Sequence, residues 1–143
     1  MANNSATATW NGGLKEGNGN VRTQSGIIST PYNFGSRFAD EPGTNPEEMI
    51  AAAHAGCFSM FLAATLEKDG TPATEINTEA KVTLGQKDGG PHITKIELRT
   101  TGTVPGIDQA KFEERANHAK ENCPVSKVLM AVPEMTLKAE LKS

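Results

Sequence analysis

Hydrophobic and polar positions change their period several times along the chain. Residues 5–34 carry short runs of β-favouring residues cut by turn signals. Ala6, Thr7, Ala8, Thr9 and Trp10 come first, then Asn11-Gly12-Gly13 as a turn and Gly17-Asn18-Gly19-Asn20 as a second one. Val21 to Ser25 and Ile27 to Thr30 follow as strands. From Pro46 the period lengthens. Ile50, Ala53, Cys57, Met60, Phe61 and Ala64 recur at steps of three and four, which predicts a helix whose apolar face contains Cys57. Asn45 suits its N-cap, Pro46 its first position, and Glu47 and Glu48 the positive end of its dipole. Lys68-Asp69-Gly70 predicts where it stops.

Ile76 to Leu84 and His92 to Val104 alternate as two further strands, joined through Gln86-Lys87-Asp88-Gly89-Gly90 as a hairpin. Asp108 can cap a helix reaching Glu121, and Cys123, placed before Pro124, can cap a short helix through Met130. A last strand is predicted from Met135 to Leu141. The order is strands, helix, hairpin, helix, strand, with no internal repeat and no low-complexity linker. At 143 residues this reads as one domain, 1–143, large enough for a real core.

Charge and composition remove several classes of function. The net charge is -3 with acids and bases mixed along the chain, so there is neither the basic stripe nor the aromatic platform that nucleic acids need. Met1-Ala2-Asn3-Asn4-Ser5 lacks the basic-then-apolar order of a signal peptide. No apolar run is expected to span a bilayer, since the longest, Ala51 to Leu62, is interrupted by His54 and Ser59. The expected location is the cytosol, where stable structural disulfides are rare. Two cysteines in that setting are a redox pair or two inert buried thiols.

The chain has only these two, Cys57 and Cys123. A thiolate is the nucleophile, an ordinary thiol titrates near ~8.5, and burial raises that value. Cys57 on an apolar helix face therefore needs a cation to react. Arg37, in Phe34-Gly35-Ser36-Arg37-Phe38, is the best candidate, because its guanidinium stays charged when desolvated. Such a charge needs a counter-charge, which Glu47 or Glu48 can supply. Ten residues of straight helix place Glu47 about 15 Å from Cys57, so the acid and the thiol cannot touch one small site directly. Arg37 can bridge the gap, the helix can bend, or a second subunit can contribute. Cys123 at a helix N-cap would meet backbone N–H groups that favour its thiolate.

Taken singly, each of these residues has a plainer reading. A free cysteine on an apolar helix face is usually packed core, a cysteine before proline can be a simple cap, and a lone arginine is usually solvated. Glu47 and Glu48 serve as first-turn acids. His54, one turn before Cys57, can act as a base, although a helix histidine more often packs or faces solvent. His92 and His118 lie far from both cysteines, and no Cys/His spacing supports zinc.

In combination the motifs are more specific. Thr44-Asn45-Pro46-Glu47-Glu48, then Ala51-Ala52-Ala53-His54-Ala55-Gly56-Cys57-Phe58-Ser59-Met60, then Asn122-Cys123-Pro124-Val125-Ser126 resemble the OsmC/Ohr family of thiol peroxidases over nearly the whole chain. Ser36-Arg37-Phe38, close before the Cys57 helix, is similar to the OsmC (osmotically inducible protein C) branch. The resemblance implies an α+β fold and an intertwined homodimer with both active sites at the interface. It implies Cys57 as the peroxidatic cysteine, Cys123 as the resolving one, Arg37 as the arginine that stabilises thiolate and peroxide oxygens, and Glu47 as the acid that orients Arg37. His54 and Glu48 fall on family positions not read as catalytic. The reaction implied is reduction of hydroperoxides, organic ones preferred, through a Cys57 sulfenic acid and a Cys57–Cys123 disulfide. It needs no metal, flavin or haem and draws on a dithiol reductant, small or lipoylated. An apolar pocket walled by Phe34, Met60 and Phe61 is expected. The alternatives are a module that binds an amphipathic ligand and a redox-sensing dimer that forms the disulfide without turnover.

Overall fold

A computed structural model describes residues 1–142. The chain divides into two compact units, Met1–Met49 and Ile50–Ser143, and each holds a three-stranded sheet.

The first unit is an antiparallel meander of β1 (Ala6–Asn11), β2 (Asn18–Thr23) and β3 (Ser29–Asn33). The second predicted turn, Gly17 to Asn20, mostly lies inside β2, where Trp10 pairs with Gly19 and Asn11 with Asn18. Close packing is the reason that glycine is there. A Cβ on Gly19 would come within 2.3 Å of the Thr9 carbonyl oxygen and 2.6 Å of the Tyr32 ring. The Trp10 and Tyr32 rings meet at 5.2 Å. The chain turns earlier, through Gly12 at φ +88, where the Gly17 N–H donates to the Gly13 carbonyl at 2.8 Å.

A helical turn that the sequence pattern did not predict, α1 (Phe34–Phe38), follows β3. A reciprocal pair of bonds starts it: the Ser36 N–H donates to Asn33 Oδ1 and the Asn33 N–H donates to Ser36 Oγ, both at 2.8 Å. This capping box makes a five-residue turn hold its shape, and the turn carries Arg37.

The predicted central helix is α2 (Pro46–Lys68). Asn45 caps it by accepting the Glu48 N–H at 2.8 Å, and Gly70 at φ +80 ends it, with the Thr71 N–H donating to the Leu66 carbonyl at 3.0 Å. Its buried face differs from the predicted one. His54, Phe58, Leu62 and Leu66 form a fully buried row at steps of four, whereas Ala53 and Ala64 are exposed and Met60 is 76% exposed. Alanines lie on every side of this helix, so the spacing fitted more than one face, and the bulkier Phe58, Leu62 and Leu66 decide which one packs. The same alanines keep an 18-residue window at a mean hydropathy of 1.6. By length and composition α2 is therefore apolar enough to cross a membrane, contrary to the sequence expectation, while only 22% of that window is buried.

The second unit pairs β4 (Glu75–Lys87) antiparallel with β5 (Gly90–Thr103) and β5 parallel with β6 (Glu134–Leu141). Asp88 and Gly89 make the two-residue hairpin turn with φ +52 and +78, the left-handed pair that such a turn favours. Between β5 and β6 run α3 (Gln109–Asn122), capped by Asp108, α4 (Pro124–Val128) and a tight turn at Leu129–Ala131. The core joins Phe58, Leu62 and Leu66 of α2 to Leu98 of β5, Val104, and Phe112, Ala116 and Ala119 of α3, with Cys123 among them. Gly102 lets α3 approach the sheet, since a Cβ there would stand 2.6 Å from the Phe112 ring.

Truncation of that ring is expected to be costly. Phe112→Ala should lower unfolding stability by about 3–5 kcal/mol, from lost burial plus the cavity left behind. Val128→Ala, at a side chain that is 81% exposed, should stay within about 0.5 kcal/mol of the parent in the same urea titrations.

Candidate active site

Cys123 sits where two helices meet. Its own N–H closes α3 by donating to the Ala119 carbonyl at 2.9 Å, and its sulfur opens α4 by accepting the Ser126 N–H at 3.3 Å. Pro124 takes the first position of α4, where an N–H would have no intrahelical partner. The cap predicted from sequence is thus present, with sulfur as the acceptor. Cys123 is fully buried, and Cys57, at mid-helix in α2, is half-buried against the same core.

The two thiols are neighbours, with Cys57 packed against the core that holds Cys123 and the Cys123 sulfur beside it. Both are free in this structure. Burial pushes the Cys57 thiol above its ordinary pKa. A hydrogen bond from the Val125 backbone N–H pulls it back in part, and the adjacent Cys123 sulfur raises it again. The Val125 N–H is thus the donor that favours the Cys57 thiolate.

A second pair stands behind the thiols. His54 Nε2 lies 2.6 Å from Ser126 Oγ, and Ser126 Oγ lies 3.1 Å from Cys123 Sγ. His54 and Ser126 are both fully buried, and burial lowers the His54 pKa from its ordinary value. His54 Nδ1 is buried with no hydrogen-bond partner among the described residues. Sequence reasoning weighed His54 alone and gave Ser126 no role. One signal was available: His54 precedes Cys57 by three residues and Ser126 follows Cys123 by three. On helices that spacing puts each pair on one side, so a meeting of the two cysteines also brings their companions together.

The other two predicted residues pair in the first unit. Arg37 Nη2 donates to Glu47 Oε1 at 2.7 Å and Arg37 Nε to Glu47 Oε2 at 3.1 Å, a two-point fork on one carboxylate. Glu47 is 8% exposed, and the guanidinium carbon lies 5.3 Å from the Phe38 ring centre. Glu48 faces elsewhere and accepts a hydrogen bond from Thr44 Oγ1 at 2.8 Å. The sequence left both acids open as the counter-charge, and the geometry selects Glu47. Arg37 also borders a cavity of about 270 Å³ lined by Trp10, Tyr32, Phe34, Phe38 and Pro46. The expected wall of Phe34, Met60 and Phe61 is not one pocket: Phe34 lines this cavity, Phe61 lines another of about 340 Å³ beside His118, and Met60 is exposed. Among the described residues no group of three or more His, Cys, Asp and Glu side chains could hold a metal ion.

Comparison with known proteins identifies the family. The signature of the family described as OsmC-like protein matches residues 39–138. The chain is 50% identical over 137 residues to peroxiredoxin OsmC of Escherichia coli (strain K12), covering 95% of this chain and 94% of that one. It is 36% identical over 112 residues to an organic hydroperoxide resistance protein of Xanthomonas axonopodis pv. citri, covering 77% and 75%. Among solved structures, the organic hydroperoxide resistance protein OhrB of Bacillus subtilis aligns with a TM-score of 0.69 at 28% identity, over 96% of this chain and 98% of that one. The α+β order of elements, the two cysteine segments and these matches lead to one conclusion: the chain belongs to the OsmC-like family.

Proposed function

We propose that this chain is a thiol-dependent peroxidase that reduces hydroperoxides, organic ones in preference, and serves in defence against oxidative and osmotic stress. The packing of Cys57 against the core that holds Cys123 carries this reading. The half-buried sulfur is the one a substrate can reach, and the fully buried sulfur beside it is protected from solvent and from direct oxidation. The Cys57 thiolate attacks one oxygen of ROOH, the O–O bond breaks, and ROH leaves after taking a proton, so Cys57 becomes a sulfenic acid. Cys123 then attacks the Cys57 sulfur, water leaves, and a disulfide closes. A dithiol, small or lipoylated, reopens it by exchange. The apolar cavity beside Arg37 supports the preference for organic peroxides.

Arg37 is assigned the charge that a reactive thiolate needs. Its two-point bond to the buried Glu47 fixes the guanidinium plane, which leaves the remaining N–H donors aimed and charged. That is the arrangement needed to stabilise negative charge on oxygen as the O–O bond breaks.

The active form is proposed to be a homodimer. One side of α2 presents Ala52, Ala53, Gly56, Met60 and Ala64 to solvent, an apolar face that a second copy would cover. Single-domain organisation over 1–143 and a cytoplasmic location are part of the same proposal. The family match crosses the boundary between the two units, and the buried row of α2 packs into protein core.

Four outcomes are expected. Cys57→Ser should abolish hydroperoxide consumption, whereas Cys123→Ser should complete one equivalent and then stop; a ligand-binding module would keep its ligand in both, and a sensor would stop after one equivalent in the parent as well. Arg37→Met should lower the single-turnover rate at neutral pH by about 10²–10³, the scale of losing one charge-stabilising group. The sign with pH follows from the upward pull of burial on Cys57: its reactive thiolate grows as pH rises, so the rate of the first step should climb with pH, and Arg37→Met should move that climb to higher pH. Light scattering should give the parent twice the mass of one chain, and Met60→Glu should shift it toward monomer.

A further inference from the structure

Resting on the peroxidase reading, we propose that Ser126 and His54 form a proton relay for the resolving step, in which the Cys123 proton passes to Ser126 Oγ while the Ser126 hydroxyl proton passes to His54 Nε2. Ser126 touches the reacting sulfur and is catalytic in this step; His54 acts through it.

The need for such a relay comes from burial. Cys123 must lose its proton to attack, because the thiolate is the nucleophile. It is fully buried, so bulk water cannot take that proton. Its S–H donates instead to Ser126 Oγ at 3.1 Å, and that hydroxyl, also fully buried, lies 2.6 Å from His54 Nε2. Sulfur, hydroxyl and imidazole thus form an unbroken chain in which the donor of each bond hands on to the next acceptor. A hydroxyl can donate and accept at once, so the chain also runs in reverse, with His54 Nε2–H donating to Ser126 and Ser126 donating to a Cys123 thiolate. These two directions are the states before and after the transfer. The Ser126 backbone N–H, 3.3 Å from the same sulfur, favours the charged state.

His54 suits a transient acceptor. Its Nδ1 is buried without a partner among the described residues, and an unmet buried polar group is costly. A purely structural site would be filled more cheaply by an apolar side chain. Burial also lowers the His54 pKa, so the ring is neutral and open to a proton at rest and releases it readily afterwards.

The step balances within the molecule. The Cys57–Cys123 S–S bond forms as the Cys57 S–O bond breaks, and the electron pair of that bond leaves with oxygen as hydroxide. Hydroxide takes up one proton and His54 gives one up, so the products are disulfide and water. The oxidising equivalent is the one already stored in the sulfenic acid.

Rapid-mixing kinetics with one equivalent of cumene hydroperoxide separate the two steps, with a sulfenic-acid trap and free-thiol counts as readouts. In Ser126→Ala and His54→Gln, formation of sulfenic acid should proceed at the parent rate. Disulfide closure should slow by about 10²-fold, the lower range for losing general acid–base assistance, with sulfenic acid accumulating on Cys57. In heavy water the parent should close more slowly, and Ser126→Ala should lose that isotope effect, a readout that a packing defect would not move. Ser126→Thr, which keeps the hydroxyl, should restore closure. Closure at the parent rate in both Ser126→Ala and His54→Gln, or equal slowing of both steps, would overturn the relay. If the parent itself took up oxygen on Cys57 and never lost its Cys123 thiol, the peroxidase cycle itself would fail instead.

Discussion

The adjacency of a half-buried and a fully buried sulfur is the constraint on which the second unit depends. Cys57 comes from the middle of a helix and Cys123 from the junction of two others, so their meeting requires α2 to lie against the α3–α4 corner. The groups that enforce this are mostly apolar. Phe58, Leu62 and Leu66 on α2 and Phe112, Ala116 and Ala119 on α3 share one core with Cys123. In the proposed cycle the half-buried Cys57 is oxidised first and the fully buried Cys123 follows. The same burial creates the chemical difficulty, because it raises the Cys57 pKa and denies Cys123 a solvent base.

Polar groups at short range within the second unit answer part of that difficulty. The Val125 and Ser126 backbone N–H groups, freed at the start of α4, each point at a sulfur. In the first unit, a carboxylate holds Arg37 by two bonds beside an apolar ring. A guanidinium tolerates that setting because it cannot release its proton, whereas a lysine there would be prone to neutralise.

Much of this was legible in the residues. Caps declared themselves: Asn45, Asp108 and Cys123 each accept the N–H three residues on, as their positions before helical patterns predicted. Asp88-Gly89 fixed the hairpin. The buried face of α2 was misread because alanine satisfies any face, and only side-chain volume separates Phe58 and Leu62 from Ala53 and Ala64. The α1 turn was invisible because a five-residue helix has too few positions to show a period, and its stability comes from the Asn33–Ser36 exchange. Gly19 misled because the same residue serves a turn and a close approach, and only the partner rings distinguish them. The His54–Ser126 bond joins positions 72 residues apart, beyond the reach of local spacing until the cysteines are known to touch.

Peptide mapping by mass spectrometry, on protein treated with one equivalent of an organic hydroperoxide and alkylated at once, tests the adjacency of the sulfurs most directly. The expected product is a single intrachain link between the peptides bearing Cys57 and Cys123, lighter by two hydrogens and reversed by a dithiol. Over-oxidised Cys57 alongside an alkylated Cys123, or a link that joins two chains, would contradict the account.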